Sequence, residues 1–232
     1  MAITVTALTG AADNVDRNSY ATASITPSAS KLILAFFSAR KSSATVSTAT
    51  ATGNGLTWVA EENQIYESDE SRLMCFRAMG ASPSAGAVTF DLGGVTHVGA
   101  QWSIFELDGV DTSGTDGSGA IVQSEKTSSA GATTLTVTLA AFGSADNATV
   151  AGFTHRANEV TTHETDYTEV HDVQSNNPNL GTETEYKIAN DTSPSASWAS
   201  SSACAAIALE IKAAAAPAGT TPILLGLMGA GR

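Results

Sequence analysis

Short apolar or alternating runs, broken repeatedly by Gly, Asn, Asp, Ser or Pro, fill this sequence, and no stretch sustains a helical apolar period with caps. The runs fall at 32–37, 56–61, 72–79, 87–92, 97–107, 134–139, 149–155, 167–173, 182–189, 195–200 and 205–212. Residues 32–37 read as a strand buried on both faces. Residues 134–139 alternate, with Leu135, Val137 and Leu139 on one face and threonines on the other. Many short strands with turns between them fold as antiparallel sandwiches or barrels, so the chain is expected to be all-β with almost no helix.

The runs also echo one another in order and type. Leu32-Ile33-Leu34-Ala35-Phe36, Thr57-Trp58-Val59, Cys75-Phe76-Arg77-Ala78, Val88-Thr89-Phe90 and Phe105-Glu106-Leu107 make up the first set. Thr149-Val150-Ala151-Gly152-Phe153, Tyr167-Thr168-Glu169-Val170, Glu185-Tyr186-Lys187-Ile188, Ala196-Ser197-Trp198 and Leu209-Glu210-Ile211 answer them. Two similar strand sets interleaved into two sheets predict an antiparallel β-sandwich of jelly-roll type, spanning 1–212.

Composition narrows what such a sandwich can do. Hydrophobic residues make up 42% of the 232, enough for a sizeable core, while charged residues are only 15%; about 25% is usual. Eleven Lys and Arg stand against 23 Asp and Glu, a net charge of -12 that repels nucleic acid. Much of the acid lies between 159 and 191, where a solvated acidic face is the plain reading and a cation site the sharper one. The start, Met1-Ala2-Ile3-Thr4, lacks the basic and apolar regions of a signal peptide, and no apolar run is long enough to span a membrane, so cytosolic synthesis is expected. Cys75 and Cys204 sit in apolar runs and are expected to be free, buried thiols.

Motifs for chemistry are sparse. Gly114-Thr115-Asp116-Gly117-Ser118-Gly119 lacks the strand-to-helix setting of a phosphate cradle and reads as a surface loop. Asp108, Asp111 and Asp116 do not have the spacing of an EF-hand. His163 and His171 share an acidic neighbourhood, where a solvated loop outweighs metal ligation. Glu106 and Glu210 invite comparison with a glycosidase pair, but their matching positions point to equivalent, outward-facing strand residues. Trp58, Trp102 and Trp198 are expected to pack in the core rather than stack on sugar. No catalytic residue, metal ligand or cofactor is expected.

The end of the chain differs from the rest. Residues 213–222 read as a flexible linker, and an apolar tail follows to residue 232. Ile223, Leu224, Leu225, Leu227 and Met228 are the candidate partner-binding residues, because an apolar tail on a soluble protein calls for a groove.

The runs Leu32-Ile33-Leu34-Ala35-Phe36-Phe37, Gly55-Leu56-Thr57-Trp58, Arg77-Ala78-Met79 and Phe105-Glu106-Leu107-Asp108-Gly109-Val110-Asp111-Thr112-Ser113 resemble phage-associated β-sandwich virion proteins. The resemblance covers 30–212 and leaves out the acidic second half and the tail. It implies a non-enzymatic virion structural protein of head-decoration, tail-appendage or fibre type. The expectation drawn from it is a capsid decoration (cement) protein in the virion, a homo-oligomer whose partners are other virion proteins, the major capsid protein first. The alternative is a receptor- or carbohydrate-binding module of a tail fibre. A hydrolase on the same scaffold is the third reading.

Overall fold

The computed structural model describes residues 2–215. Among them the strands are β1 (Thr4–Asp13), β2 (Ser19–Ala21), β3 (Leu32–Arg40), β4 (Thr50–Gly53), β5 (Val59–Tyr66), β6 (Ser71–Ala78), β7 (Val88–Asp91) and β8 (Gly99–Asp108) in the first half. In the second half they are β9 (Ile121–Thr136), β10 (Ala148–His155), β11 (Thr162–His163), β12 (Thr168–Asn176), β13 (Asn179–Lys187) and β14 (Ser195–Ile211). The one helical element among these residues is a 3₁₀ turn at Ser118–Ala120.

Two large antiparallel sheets result, ordered β1-β8-β3-β6-β5 and β9-β14-β10-β13-β12. Leu32, Leu34, Phe36, Cys75, Phe105 and Leu107 of the first face Val150, Ile207, Leu209 and Ile211 of the second, forming the inner core of the sandwich. Each sheet also carries an outer layer. On the first, β2-β7-β4 brings Tyr20, Val88 and Phe90 over Phe37, Met74 and Phe76. On the second, the start of β14 pairs with the end of β9 on one side and with β11 on the other, and Leu135 and Trp198 cover Phe153 and Ala206. Covered faces on both sides explain why residues 32–39 of β3 are all buried.

The expected duplication is present in the strand order, but the two sets are not interleaved. Each half makes its own large sheet. β3, β5, β6 and β8 of one half correspond to β10, β12, β13 and the body of β14 in the other, and β1 corresponds to the start of β9. The reason is local closure: β1 bonds to β8, and β9 to β14, so each half completes its hydrogen bonding before the chain crosses over. Register makes the match residue by residue. Leu34 faces Phe105 as Val150 faces Leu209, and Ile33 faces Glu106 as Thr149 faces Glu210. This corrects the sequence alignment of Leu32 with Thr149 by one position, to Ala148. Both halves also place a β-bulge at the same point, between Ala60 and Glu62 and between Glu169 and His171.

The halves pack about a pseudo-twofold axis. Edge strand β5 lies along β9, and β1 lies along β12, two contacts that exchange when the halves exchange. Near the axis, equivalent residues meet. The Ser38 and Thr154 hydroxyls are hydrogen-bonded at 3.0 Å, and the Phe36 ring lies against Gly152, where a β-carbon would collide with it. These contacts set a strand of the other half beside each outer edge of the two large sheets.

Pairing continues past residue 212. Ala213 bridges Val110, and the Ala214 N–H donates to the Gly109 carbonyl at 2.8 Å, so two residues assigned to the linker by composition are held to the sandwich.

Candidate functional site

The tail residues Ile223, Leu224, Leu225, Leu227 and Met228 lie outside the described residues. The surface from which that segment departs is described, and it is concave. Three clefts, of about 660, 450 and 290 Å³, share walls built from residues 213–215. The largest adds Ile121, Val122, Asn147 and Lys212, and the second adds Ala2, Ile3 and Ile188. Val122 and Ile188 are 49% and 44% exposed, two of four large hydrophobics so exposed among the described residues. Lys212 fixes this region: its ammonium is 2.7 Å from Asp111, and that contact, with the Ser113 hydroxyl and N–H, pulls the Asp111 carboxyl down to about 2.

The remaining sequence candidates are distributed among structural roles. Cys75 belongs to the inner core and Cys204 to the outer core of the second half, both free and buried. Trp102 and Trp198 are buried, and Trp58 packs on the first outer core and donates to the Gly53 carbonyl. The 114–119 loop is held by Arg77, whose guanidinium donates to the Thr115 and Asp116 carbonyls. Asp108 lies 3.7 Å from Lys31, and Asp111 is taken by Lys212. The fold does not bring His163 and His171 together. His171 turns inward to Ser103 at 2.8 Å, whereas His163 sits in the outer layer, 4.0 Å from Glu169.

Glu106 and Glu210 are equivalent, as the sequence suggested, and both lie on outer sheet faces, but they are buried. Glu106 accepts from the Ser28 N–H and hydroxyl, both at 2.7 Å, and Glu210 accepts from Asn147 and Gln123, both at 2.6 Å. Each carboxylate fastens the loop before its neighbouring central strand. They lie on different sheets and form no catalytic pair.

The acidic segment departs furthest from expectation. It is not uniformly a solvated face: Glu183 and Glu185 on β13 are fully buried. They point to the outer side of their sheet, since the alternate residues Thr182 and Thr184 bond inward to Thr154 and Ser103. Asp172 stands opposite Glu183, and Glu169 opposite Glu185, so four carboxyls form a two-by-two array. The segment 156–167 lies over it: the Thr161 N–H donates to Asp172 at 3.1 Å, and the Glu164 N–H to Glu185 at 3.2 Å. Among the described residues, both oxygens of Glu183, one of Glu185 and one of Asp172 are buried without a partner. Burial, then the neighbouring Glu185, Glu169 and Asp172, pushes the Glu183 carboxyl well up; burial raises Glu185 to about 8 and lifts Asp172 and Glu169. Among the described residues no three Asp, Glu, His or Cys side chains are placed to hold a metal ion.

The array was legible only through the duplication. In the first half the positions of Glu183 and Glu185 are filled by Met74 and Phe76, both in the apolar outer core. Aligning the halves in the correct register would have shown carboxylates where the other copy keeps apolar side chains.

No protein-family model matches this chain, and neither a curated protein nor a solved structure matches it significantly.

Proposed function

We propose that this chain is a non-enzymatic structural protein of a phage virion, a capsid decoration protein that attaches through its C-terminal segment. The observation that carries the proposal is the convergence of three clefts on residues 213–215, at the root of the apolar 223–228 segment. A concave surface with exposed Val122 and Ile188 beside that root gives an apolar strand or turn from a neighbouring copy, or from the major capsid protein, a place to bury side chains. Each large apolar side chain so buried contributes roughly 1.5–3 kcal/mol. We read the sandwich as one of jelly-roll type, in whose first half the chain leaves the large sheet for the outer layer between β1 and β3, between β3 and β5 and between β6 and β8. The fibre-tip alternative, with a sugar platform, is less well supported, because Trp58, Trp102 and Trp198 all pack inward.

The test is truncation after Ala215, which spares the Val110 and Gly109 pairings. The truncated protein is expected to keep the circular dichroism of the full chain while losing self-association in sedimentation and binding to heads that lack the protein. Unchanged association and head binding would overturn the attachment role.

A further inference from the structure

The two-by-two carboxyl array is the feature of this molecule least explained by packing. Four acids share one face of β12 and β13, directly opposite one another in pairs, at a spacing where ionised like charges repel. An ionised carboxylate cannot stay buried without partners, so Glu183, with both oxygens unpartnered, must hold a proton in the folded state. The first half shows that the fold does not need acids here, since Met74 and Phe76 fill the same positions.

Among the described residues, the groups facing Glu183 and Glu185 give no compensating cation, and Arg156, at the start of the overlying segment, is ion-paired with Glu67 at 2.6 Å. β12 supplies Glu169 and Asp172; the overlying 156–167 segment supplies Glu164, His163 and Tyr167; Asp191 approaches from the turn after β13. His155 on β10, in the same layer, is occupied with Thr161 and stacked on Trp198. Lys187, the base on β13, is bound to Asp191 at 3.1 Å and lies over the Tyr167 ring.

We propose that this array is a proton-operated latch: with Glu183 and Glu185 protonated, the 156–167 segment stays seated on β12 and β13, and when the protons leave, the like charges beneath unseat it. The inference does not depend on the virion reading. The sign follows from the upward displacement of both carboxyls. The folded state holds protons that the open state releases, so the latch is fully closed below the ordinary carboxylate range of about 4.5 and weakens as pH rises toward about 8, where Glu185 ionises.

Hydrogen exchange on the full chain, expressed as protection factors to remove the intrinsic pH dependence, tests this across about pH 5 to 9. Protection of 156–167 is expected to fall by about tenfold per pH unit for each proton released, while β3 and β10 keep theirs. The double variant Glu183→Met, Glu185→Phe, which copies the first half, is expected to abolish that slope. A flat wild-type profile, or a slope that survives in the variant, would overturn the proposal. Carboxyl-carbon titration by NMR on the wild-type chain needs no variant: midpoints above the ordinary range support the latch, and midpoints near 4.5 sink it. Excess calcium should leave the wild-type profile unchanged; if it restores protection at high pH, the array is a cation site instead.

Discussion

At the scale of single residues, the duplicated glutamates show how one side chain can hold a loop. Glu210 accepts two short hydrogen bonds from Asn147 and Gln123, both at 2.6 Å, and is almost wholly buried. Glu210→Ala would strip the buried Asn147 amide of its acceptor, whereas Gln123 keeps the Ala140 carbonyl, and leaving a buried polar group unmatched costs about 1–3 kcal/mol. A fall in the urea midpoint of that size is expected, with an unchanged slope; no change would mean that water replaces the carboxylate freely. The echo of Phe105-Glu106-Leu107 in Leu209-Glu210-Ile211 was readable from the letters alone, and the register confirms it. The burial of these glutamates was not readable, because it depends on Ser28 and Asn147, loop residues whose reach no strand pattern encodes.

At the scale of elements, the runs rich in Val, Ile, Leu and Phe became strands within a few residues of their expected limits, as β3, β6, β8 and β10 show. The strands that escaped sequence reading are edge and cover strands: β1, β2, β4, β11 and most of β9. β9 reads Ile121-Val122-Gln123-Ser124-Glu125-Lys126-Thr127-Ser128, and an edge strand with one solvated side has no need of an apolar run. Pairing with β14 and packing along β5 decide its conformation, and neither is local information. The outer layer of the second half also carries a pH signature of its own. His155 is buried against Trp198, with ring centroids 4.6 Å apart, and burial pulls its imidazole down to about 4. A lowered histidine gives stability that is complete above about 6.5 and is lost as pH falls toward 4, a contribution of order 3 kcal/mol. His155→Phe should therefore flatten the acid limb of a thermal-stability profile while leaving the alkaline limb, where the carboxyl array acts, in place. An acid limb identical to the wild type would remove His155 from the account.

At the scale of the whole molecule, the halves behave as the two partners of an isologous dimer that happen to be joined. Each presents the apolar face of a five-stranded sheet, and among the described residues only the other half covers it. Residues 1–113 and 114–215 produced separately are expected to aggregate or self-associate, and to form a soluble one-to-one complex when co-expressed, as size-exclusion chromatography would show. Soluble, folded monomers of either half would contradict a shared core. Ala2 and Ile3 share a cleft wall with Ala213 and Ala214, while the crossover between halves passes through an exposed loop at Gly114. The described part of the chain, residues 2–215, therefore begins and ends at one place. Joining residue 215 to residue 2 and opening the loop at Gly114 would preserve every strand pairing within the two large sheets, yet the ribosome would deliver the acidic half first. Which half is made first is thus a matter of genetic order, one the folded shape does not record.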